Sequence, residues 1–111
     1  MTPDYSSKAT SQMRKGILEY LILSIIKKGE AYASDILEQL KKNNLIVVEG
    51  TLYPLLSRLK NEKLIGYYWV ESHSGPPRKY YRLTEKGQEM QKIMRSVWQE
   101  LSTAVQNISV E

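Results

Sequence analysis

The chain has 111 residues, of which 41% are hydrophobic and 25% charged, and its formal net charge is +4. This is about the length of one domain, and the fractions are close to those of soluble globular proteins, which argues against wholesale disorder. With no cysteine and one histidine, disulfides, thiolate metal sites and thiol nucleophiles are excluded, and a catalytic triad would depend on a single imidazole. We therefore expect no enzymatic activity, no metal and no cofactor.

Two further absences bear on location. The longest apolar run, Ile17–Ile26, is interrupted by Glu19 and Ser24 and is far shorter than the ~20 residues of a membrane span. Residues 1–12 lack the charged and then apolar pattern of a signal peptide. We therefore expect a cytoplasmic protein without a membrane partner.

The positive charge is concentrated in one segment. Residues 58–86 contain seven basic and three acidic residues, whereas the nine basic and nine acidic residues elsewhere cancel. The basic residues of the segment are Arg58, Lys60, Lys63, Arg78, Lys79, Arg82 and Lys86. Together with a pI near 9.3, this favours an anionic partner, although a solvated surface is the other interpretation.

The N-terminal part predicts an arm followed by a helix. Residues 1–11, with Pro3 and three serines, are typical of a mobile arm or a frayed helix start. A first helix is predicted over Gln12–Lys28, ended by Gly29. Its apolar residues cover more than one face, which indicates burial on more than one side. In a chain this short, we expect a second subunit to cover the second side.

Two shorter helices follow. The first of them is predicted over Ser34–Asn43, and a short apolar link, Leu45–Val48, leads to a helix over Gly50–Glu62 whose leucines repeat at helical spacing. Pro54 is compatible with this helix because the N–H groups of a first turn have no intrahelical partner.

The periodicity then changes from helical to alternating. Leu64–Ser72 and Arg78–Leu83 are rich in β-branched and aromatic residues, which favours two strands. Residues 72–77 between them, with Gly75 and Pro76-Pro77, are typical of a turn. The sequence therefore predicts a β-hairpin.

Thr84 is predicted to cap a last helix that reaches about Asn107. Three helices, a hairpin and a long helix give a mainly α fold with a β-hairpin, the winged helix-turn-helix. A helix of ~24 residues is ~36 Å long, longer than such a domain is wide, so its far end must pack on something else. We divide the chain into a mobile arm (1–11), a winged helix-turn-helix (12–83) and a C-terminal dimerisation helix (84–111).

An apolar seam runs along this last helix. Alternating four- and three-residue steps give an a/d pattern of about two and a half heptads, formed by Met90, Met94, Val97, Leu101, Ala104 and Ile108. Because this is short for an autonomous coiled coil, we expect a homodimer interface that also includes the partner's first helix.

Three separate motifs carry a resemblance to a known family. The run Glu49–Leu59 (EGTLYPLLSRL) resembles the third-helix signature of PadR-type transcriptional regulators. Leu64-Ile65-Gly66 resembles the family's first wing strand, and Arg78–Gly87 (RKYYRLTEKG) its second wing strand and following helix start. The resemblance covers about Leu18–Gly87. The single C-terminal helix is similar to the short PadR subfamily, since longer members carry a multi-helix C-terminal domain.

The resemblance implies a dimeric bacterial-type repressor that binds double-stranded DNA at a pseudo-palindromic operator and responds to a small molecule. Hydroxyl, phenol and guanidinium groups near the third helix and the wing suit contacts to phosphates and base edges. The predicted DNA-binding residues are Tyr32, Thr51, Tyr53, Arg58, Arg78 and Lys79.

Each of these residues has an alternative interpretation. Tyr53 could be partly buried and Arg58 could belong to an ordinary ion pair. Arg78 and Lys79 could lie on a solvated turn, which Pro76-Pro77 would stiffen. Tyr32 could pack in the core.

An effector site is a further hypothesis. Trp98, beside the seam, could stack a flat aromatic ligand in a space between subunits, or it could simply anchor the interface. Residues at i, i+4, i+7 and i+11 of the first helix could wall the same space: Met13, Ile17, Tyr20 and Ser24.

Two other functions are compatible with the sequence. A winged helix can serve as a protein-interaction module, with the basic segment binding an acidic partner. The chain could also sequester a ligand without binding an operator. Sequence-selective duplex binding separates both from the DNA-binding hypothesis.

Overall fold

The computed structural model describes residues 3–110, and the side chains of residues 8–110. Within residues 3–110 the chain forms five helices and a two-stranded antiparallel hairpin. The helices are α1 (Pro3–Arg14), α2 (Leu18–Lys28), α3 (Ala33–Lys42), α4 (Glu49–Asn61) and α5 (Glu85–Ser109), and the strands, which form the wing, are β1 (Ile65–Ser72) and β2 (Gly75–Leu83). This order confirms the predicted winged helix-turn-helix with a long C-terminal helix.

The N-terminal part differs from the sequence prediction. The continuous helix predicted over Gln12–Lys28 was wrong: α1 ends at Arg14 and α2 begins at Leu18. Gly16 lies between them, and glycine is a poor helix former. The N–H of Ile17 instead bonds the Arg14 carbonyl at 3.0 Å, which closes a tight turn. Residues 1–11 were predicted as a mobile arm or a frayed helix start; the described chain is helical from Pro3, and residues 1 and 2 lie outside the described residues.

The core lies between α2, α3, α4 and the wing. Its most deeply buried side chains come from each of these elements: Ile22, Leu23, Ile36, Leu52, Leu56, Leu59 and Ile65. The leucines of α4 reach the core because they repeat every three or four residues along one face. Burial of each such side chain stabilises the fold by about 1.5–3 kcal/mol. The opposite face of α4 is left exposed.

Left-handed residues end α3 and α4. Asn44 and Lys63 both have φ of 63°. Beyond them, the N–H of Leu45 bonds the Leu40 carbonyl at 2.8 Å, and the N–H of Leu64 bonds the Leu59 carbonyl at 2.9 Å. This Schellman arrangement satisfies carbonyls that have no partner within the helix.

The wing is longer than the sequence predicted. The strands pair from Ile65 with Leu83 to Val70 with Arg78, and after an irregularity Ser72 pairs with Gly75. The turn prediction for residues 72–77 was therefore too long, because Pro76-Pro77 lie in β2. A proline cannot donate to the ladder, but it is tolerated where the strand edge is open or the register is irregular.

One bridge joins the wing to the helical core. The Ala31 N–H donates to the Tyr81 carbonyl at 3.1 Å, and the Tyr81 N–H donates to the Ala31 carbonyl at 2.8 Å. Both residues are buried. This pair fixes the C-terminal part of β2 against the segment before α3.

The predicted cap of α5 is confirmed. The Thr84 hydroxyl accepts from the Gly87 N–H at 3.0 Å and donates to the Lys63 carbonyl at 2.6 Å. α5 has 25 residues, which corresponds to about 37 Å. The radius of gyration is 16.0 Å, whereas a compact chain of this length has one of about 13 Å. The far half of α5 therefore projects from the domain.

A buried polar bridge sets how α5 lies on α2. Gln91 is 6% exposed. Its Nε2 donates to Ser24 Oγ at 3.2 Å, and its Oε1 accepts from Lys27 Nζ at 3.0 Å. Ser24 in turn donates to the Tyr20 carbonyl at 2.8 Å.

Within residues 3–110, no helix combines the length and the apolar character that crossing a lipid bilayer requires.

Candidate functional site

The N-terminal half of α4 presents polar side chains to solvent. Thr51 and Tyr53 are both exposed, while Leu52 between them is fully buried. Val48 is the N-cap of the helix, so the unpaired N–H groups at the start of its first turn lie at this same end. A hydroxyl, a phenol and a helix N-terminus are together suited to phosphates and base edges.

Arg58 lies in an ion-pair network. Its Nε is 3.5 Å from Glu19 Oε2 on α2 and 3.3 Å from Glu62 Oε2 on α4. The Arg58 side chain is 65% exposed and that of Glu19 only 18%. Glu19 Oε2 is buried and accepts no hydrogen bond from the described residues. Of the two roles that the sequence left open for Arg58, the ion pair is present.

Arg78 ties the wing to the start of α3. Its guanidinium carbon lies 4.0 Å from the centre of the Tyr32 ring, and its Nη2 donates to Ser34 Oγ at 2.5 Å. The Tyr32 ring also packs on Tyr80, with their centres 4.8 Å apart. Arg78 and Tyr32 thus hold each other in place on one face of the wing, the α3 face.

Tyr68 and Arg82 continue the α3 face. The Tyr68 hydroxyl donates to Glu30 Oε1 at 2.5 Å, and Arg82 lies 5.6 Å from the Tyr68 ring. The hydrogen bond to the Glu30 carboxylate favours the neutral phenol and raises the pKa of Tyr68 to about 12.

The opposite face of the wing, the α4 face, carries two lysines over aromatic rings. Lys79 Nζ lies 4.5 Å from the Tyr67 ring centre and 5.6 Å from that of Trp69. Lys60, from α4, lies 5.5 Å from the same Tyr67 ring. Sequence reasoning selected Lys79 and missed the other three. The alternation of the strand could have found Tyr67 and Trp69, since residues two apart share a face.

A cleft of about 390 Å³ lies between the α1–α2 bend and α5. Its lining includes four of the five predicted effector residues: Met13, Ile17, Tyr20 and Trp98. Ser24 does not line it; its hydroxyl lies in the Gln91 bridge instead. The walls described here come from α1, α2 and α5 of one chain, and the placement of this space between subunits stays a prediction.

The predicted seam divides into two parts. Met90 and Met94 are half-buried against the core of their own chain. Val97, Leu101, Ala104 and Ile108 are exposed, and the exposed fraction of Leu101 is 55%. The far half of α5 therefore carries an uncovered apolar stripe, which commonly marks an interaction surface.

Comparison with known proteins agrees with this architecture. The family model described as "Transcriptional regulator PadR-like family" matches residues 22–92. A PadR-like transcription factor from Bacteroides fragilis is 56% identical, with 91% of this chain and 98% of that chain covered and a TM-score of 0.78. A PadR-like transcriptional regulator from Bacillus cereus is 42% identical, with coverage of 91% and 99% and a TM-score of 0.82.

A third similar structure is Bacillus subtilis PadR in complex with operator DNA. It is 26% identical over 70% of this chain and 46% of that chain, with a TM-score of 0.65. The family model spans well over half of the present chain, and the Bacteroides relative is identical at more than half of the aligned positions. The chain belongs to the PadR-like family of transcriptional regulators.

Proposed function

We propose that the protein is a homodimeric repressor that binds a pseudo-palindromic operator with α4 and the wing. The observation that carries the proposal is the exposed pair Thr51 and Tyr53 at the N-terminal end of α4. In helix-turn-helix proteins, the N-terminal end of the motif's second helix, which corresponds to α4 here, enters the major groove. The operator complex of the Bacillus subtilis relative supports the same use of the fold.

The predicted DNA-binding residues divide into two roles in this proposal. Thr51, Tyr53 and Lys79 contact DNA directly. Tyr32, Arg58 and Arg78 are each held by neighbouring side chains. They therefore position α3, α4 and the wing relative to one another.

Selective duplex binding tests the DNA-binding function. Fluorescence anisotropy would compare the DNA upstream of the chain's own gene with a shuffled duplex of equal composition at physiological salt. We expect the upstream duplex to bind more tightly, and Tyr53→Ala to lower that preference. Equal affinity for both duplexes would contradict the proposal and favour the protein-interaction alternative.

The dimer would use the uncovered stripe of α5. A second copy supplies a matching apolar stripe and would hold two α4 helices at the spacing of successive DNA turns. Sedimentation should give about twice the chain mass of 12.9 kDa at micromolar concentration. Leu101→Glu should dissociate or unfold the dimer, because it buries an unpaired charge. Gln106→Glu, an exposed change on the same helix, is the control. A monomeric wild-type protein would contradict the proposed dimer.

Response to a ligand would use the cleft. Trp98 offers a ring face to a flat aromatic molecule, preferably neutral or cationic. Residues next to the cleft lining also touch both ends of the α4 region. Arg14, beside Met13, donates to the Ile46 carbonyl at 3.0 Å, just before the N-cap of α4. Glu19, beside Tyr20, pairs with Arg58.

This arrangement gives a ligand a route to the DNA surface. A ligand changes the equilibrium only if it binds one arrangement of α4 more tightly than the other. Tryptophan fluorescence during titration with a planar cationic dye tests the site, with Trp98→Ala and the control Trp69→Phe. Quenching that persists in Trp98→Ala would contradict it. Dye binding without selective duplex binding would favour a ligand-sequestering protein.

A further inference from the structure

A buried amide joins α5 to α2 and has no role in the function described so far. Among residues 8–110, Gln91 is the polar side chain that is buried, with 6% of it exposed. Its amide lies between Ser24 Oγ at 3.2 Å and Lys27 Nζ at 3.0 Å. A buried polar group lowers stability unless its hydrogen bonds are made, so an apolar residue would be the simpler choice for a contact that only holds two helices together.

The amide of Gln91 satisfies its neighbours in one orientation. The Ser24 hydroxyl donates to the Tyr20 carbonyl at 2.8 Å, so its oxygen accepts from Gln91. The Lys27 ammonium can only donate. A rotated amide would therefore oppose two acceptors at Ser24 and two donors at Lys27. Because hydrogen bonds are directional and apolar contacts are not, this bridge fixes both the position of α5 along α2 and its rotation about its own axis.

The start of α5 is held at a separate place, directly after α4. The Thr84 hydroxyl donates to the Lys63 carbonyl at 2.6 Å. A Cβ at Gly87 would lie 1.9 Å from the Leu64 carbonyl oxygen, so the two backbones are in close contact there. Thr84, Gly87 and Gln91 are three and four residues apart and share one face of the helix. The first two contacts fix where α5 begins relative to α4, and the bridge at Gln91 fixes the direction in which it continues.

A small change in the direction of α5 displaces its far end by a large distance. From Gln91 to its end at Ser109, the helix extends about 27 Å at 1.5 Å per residue. Beside the first turns of this part lies the cleft, whose lining includes Met94 and Trp98. A change of about 7° at Gln91 would move the far end by about 3.3 Å, which is close to the ~3.4 Å between successive base pairs.

We propose that Gln91 determines which spacing of operator half-sites the dimer accepts, because it fixes the direction of α5 and hence the distance between the two α4 helices. The half-site spacing of a dimer follows the spacing of its DNA-binding helices. The inference rests on the proposed function, since it requires two copies joined through α5. It deepens that function by assigning operator geometry to a positioning residue outside α4 and the wing.

Three variants test this role. Gln91→Met retains the length of the side chain and removes both polar groups, and methionine adapts to irregular spaces, so we expect the fold to be kept. Ser24→Ala removes the acceptor of the same bridge from the side of α2 and should have a similar effect. Gln88→Met, the same chemical change at an exposed position of α5, is the matched control. Circular dichroism should show the helix content of the wild-type protein in all three.

The first experiment measures the direction of α5 without DNA. The chain has no cysteine, so spin labels can be attached through Ser57→Cys on α4 and Gln106→Cys on the far part of α5, both exposed positions. Double electron–electron resonance of doubly labelled chains, diluted with unlabelled protein, gives the distance within one chain. Gln91→Met and Ser24→Ala should broaden the distance distribution or move its centre by about 3 Å or more. Gln88→Met should leave the distribution as in the wild-type protein.

The second experiment measures the preferred spacing of half-sites. Palindromic duplexes carry the half-sites of the upstream operator at separations that differ by single base pairs, and each is titrated by fluorescence anisotropy. The wild-type protein should bind its best spacing about tenfold more tightly than the neighbouring spacings, because the duplex resists the twist that would correct a mismatch. In Gln91→Met the best spacing should shift, or this ratio should fall to about threefold. A merely structural role would weaken binding at every spacing by the same factor.

Three results would overturn the proposal. Unchanged distances in both Gln91→Met and Ser24→Ala would mean that other contacts fix the direction of α5, and would leave the proposed function intact. The wild-type spacing preference in Gln91→Met, with or without an equal loss of affinity at every spacing, would remove operator geometry from the role of Gln91. Absence of binding to any duplex by the wild-type protein would overturn the proposed function together with this inference.

Discussion

Replacing Arg58 with alanine separates a positioning role from base reading. In the described part of the chain, the Arg58 guanidinium lies against the carboxylates of Glu19 and Glu62. The truncation would leave Glu19, on α2, as a carboxylate with a buried Oε2 and no cation beside it. Helix α4 would then lose one of its ties to α2.

The two ion pairs differ in expected strength. The pair within α4 joins Arg58 and Glu62, which are both largely exposed, and such i,i+4 pairs contribute about 0.3–0.5 kcal/mol. The carboxylate of Glu19 is less exposed, and an unsatisfied buried polar group costs about 1–3 kcal/mol. Because Arg58 itself is well solvated, screening lowers this contribution. We expect Arg58→Ala to destabilise the protein by about 1–2 kcal/mol.

Three variants test this reasoning: Arg58→Ala, Glu19→Gln and the double variant. Glu19→Gln removes the charge that Arg58 compensates, so the double variant should recover most of the stability lost in Arg58→Ala. The coupling between the two sites should be about 0.5–1.5 kcal/mol. Urea unfolding followed by circular dichroism measures it, at one protein concentration because dimer stability depends on concentration.

Operator affinity of the same three variants distinguishes a positioning role of Arg58 from base reading. If Arg58 positions α4, the double variant should bind the operator better than Arg58→Ala does. If Arg58 reads a base, its loss should cost about 1–3 kcal/mol on the operator, and Glu19→Gln should restore none of it. An Arg58→Ala protein as stable as wild type that has lost operator selectivity would refute the positioning role.

Three further predictions follow from the backbone and the wing. In Gly87→Ala, the new Cβ would lie 1.9 Å from the Leu64 carbonyl oxygen, so thermal unfolding should show a loss of at least about 1–3 kcal/mol; an unchanged Tm would contradict this packing. Lys63→Gly relieves a φ of 63° and should stabilise the protein by up to about 1 kcal/mol in urea unfolding, whereas destabilisation would argue against the left-handed turn. The pKa of Tyr68 is about 12 in the folded protein against 10.0 ordinarily, so the stability that this group contributes should be lost as pH rises from about 10 to 12. Tyr68→Phe should reduce this pH dependence of the free energy of unfolding. An identical pH profile in both proteins would count against the hydrogen bond to Glu30.

Local patterns predicted most of the fold. The leucines at 52, 56 and 59 are buried as their helical spacing requires. Strand alternation predicted the hairpin, and Thr84 caps α5 as its hydroxyl suggested. Each of these features depends on residues that are close together in the sequence, so the pattern of those residues is enough to predict it.

The break at Gly16 and the extent of the wing could not be read locally. A glycine inside a helix costs about 1 kcal/mol relative to alanine. Tertiary packing can outweigh this cost and keep the helix continuous, or the helix can break at the glycine. Here the chain bends, and the bend brings Met13 to the cleft and Arg14 to the Ile46 carbonyl. Pro76-Pro77 are likewise typical of a turn, but the open edges of a two-stranded sheet accommodate them.

Residue types alone do not predict the partners of the side chains at the candidate site. Arg58 and Arg78 have the chemistry of DNA contacts, yet each is occupied by partners distant in sequence, Glu19 and Ser34. Ser24 matched the spacing of the cleft residues, but its hydroxyl meets Gln91, 67 positions away. The spacing of residues along one helix predicts which side chains share a face, but it does not predict which other element packs against that face.

The division of the wing into two faces follows from one turn. Lys63 adopts a left-handed conformation directly after α4, and this sends Leu64 and Ile65 into the core. Because side chains alternate along a strand, the burial of Ile65 sets Tyr67 and Trp69 on the side of α4 and Tyr68 on the side of α3. A shift of one residue would exchange these faces and with them the rings and cations that each face carries. The sequence contains the alternation, but the direction in which the chain leaves α4 decides which face meets the helix.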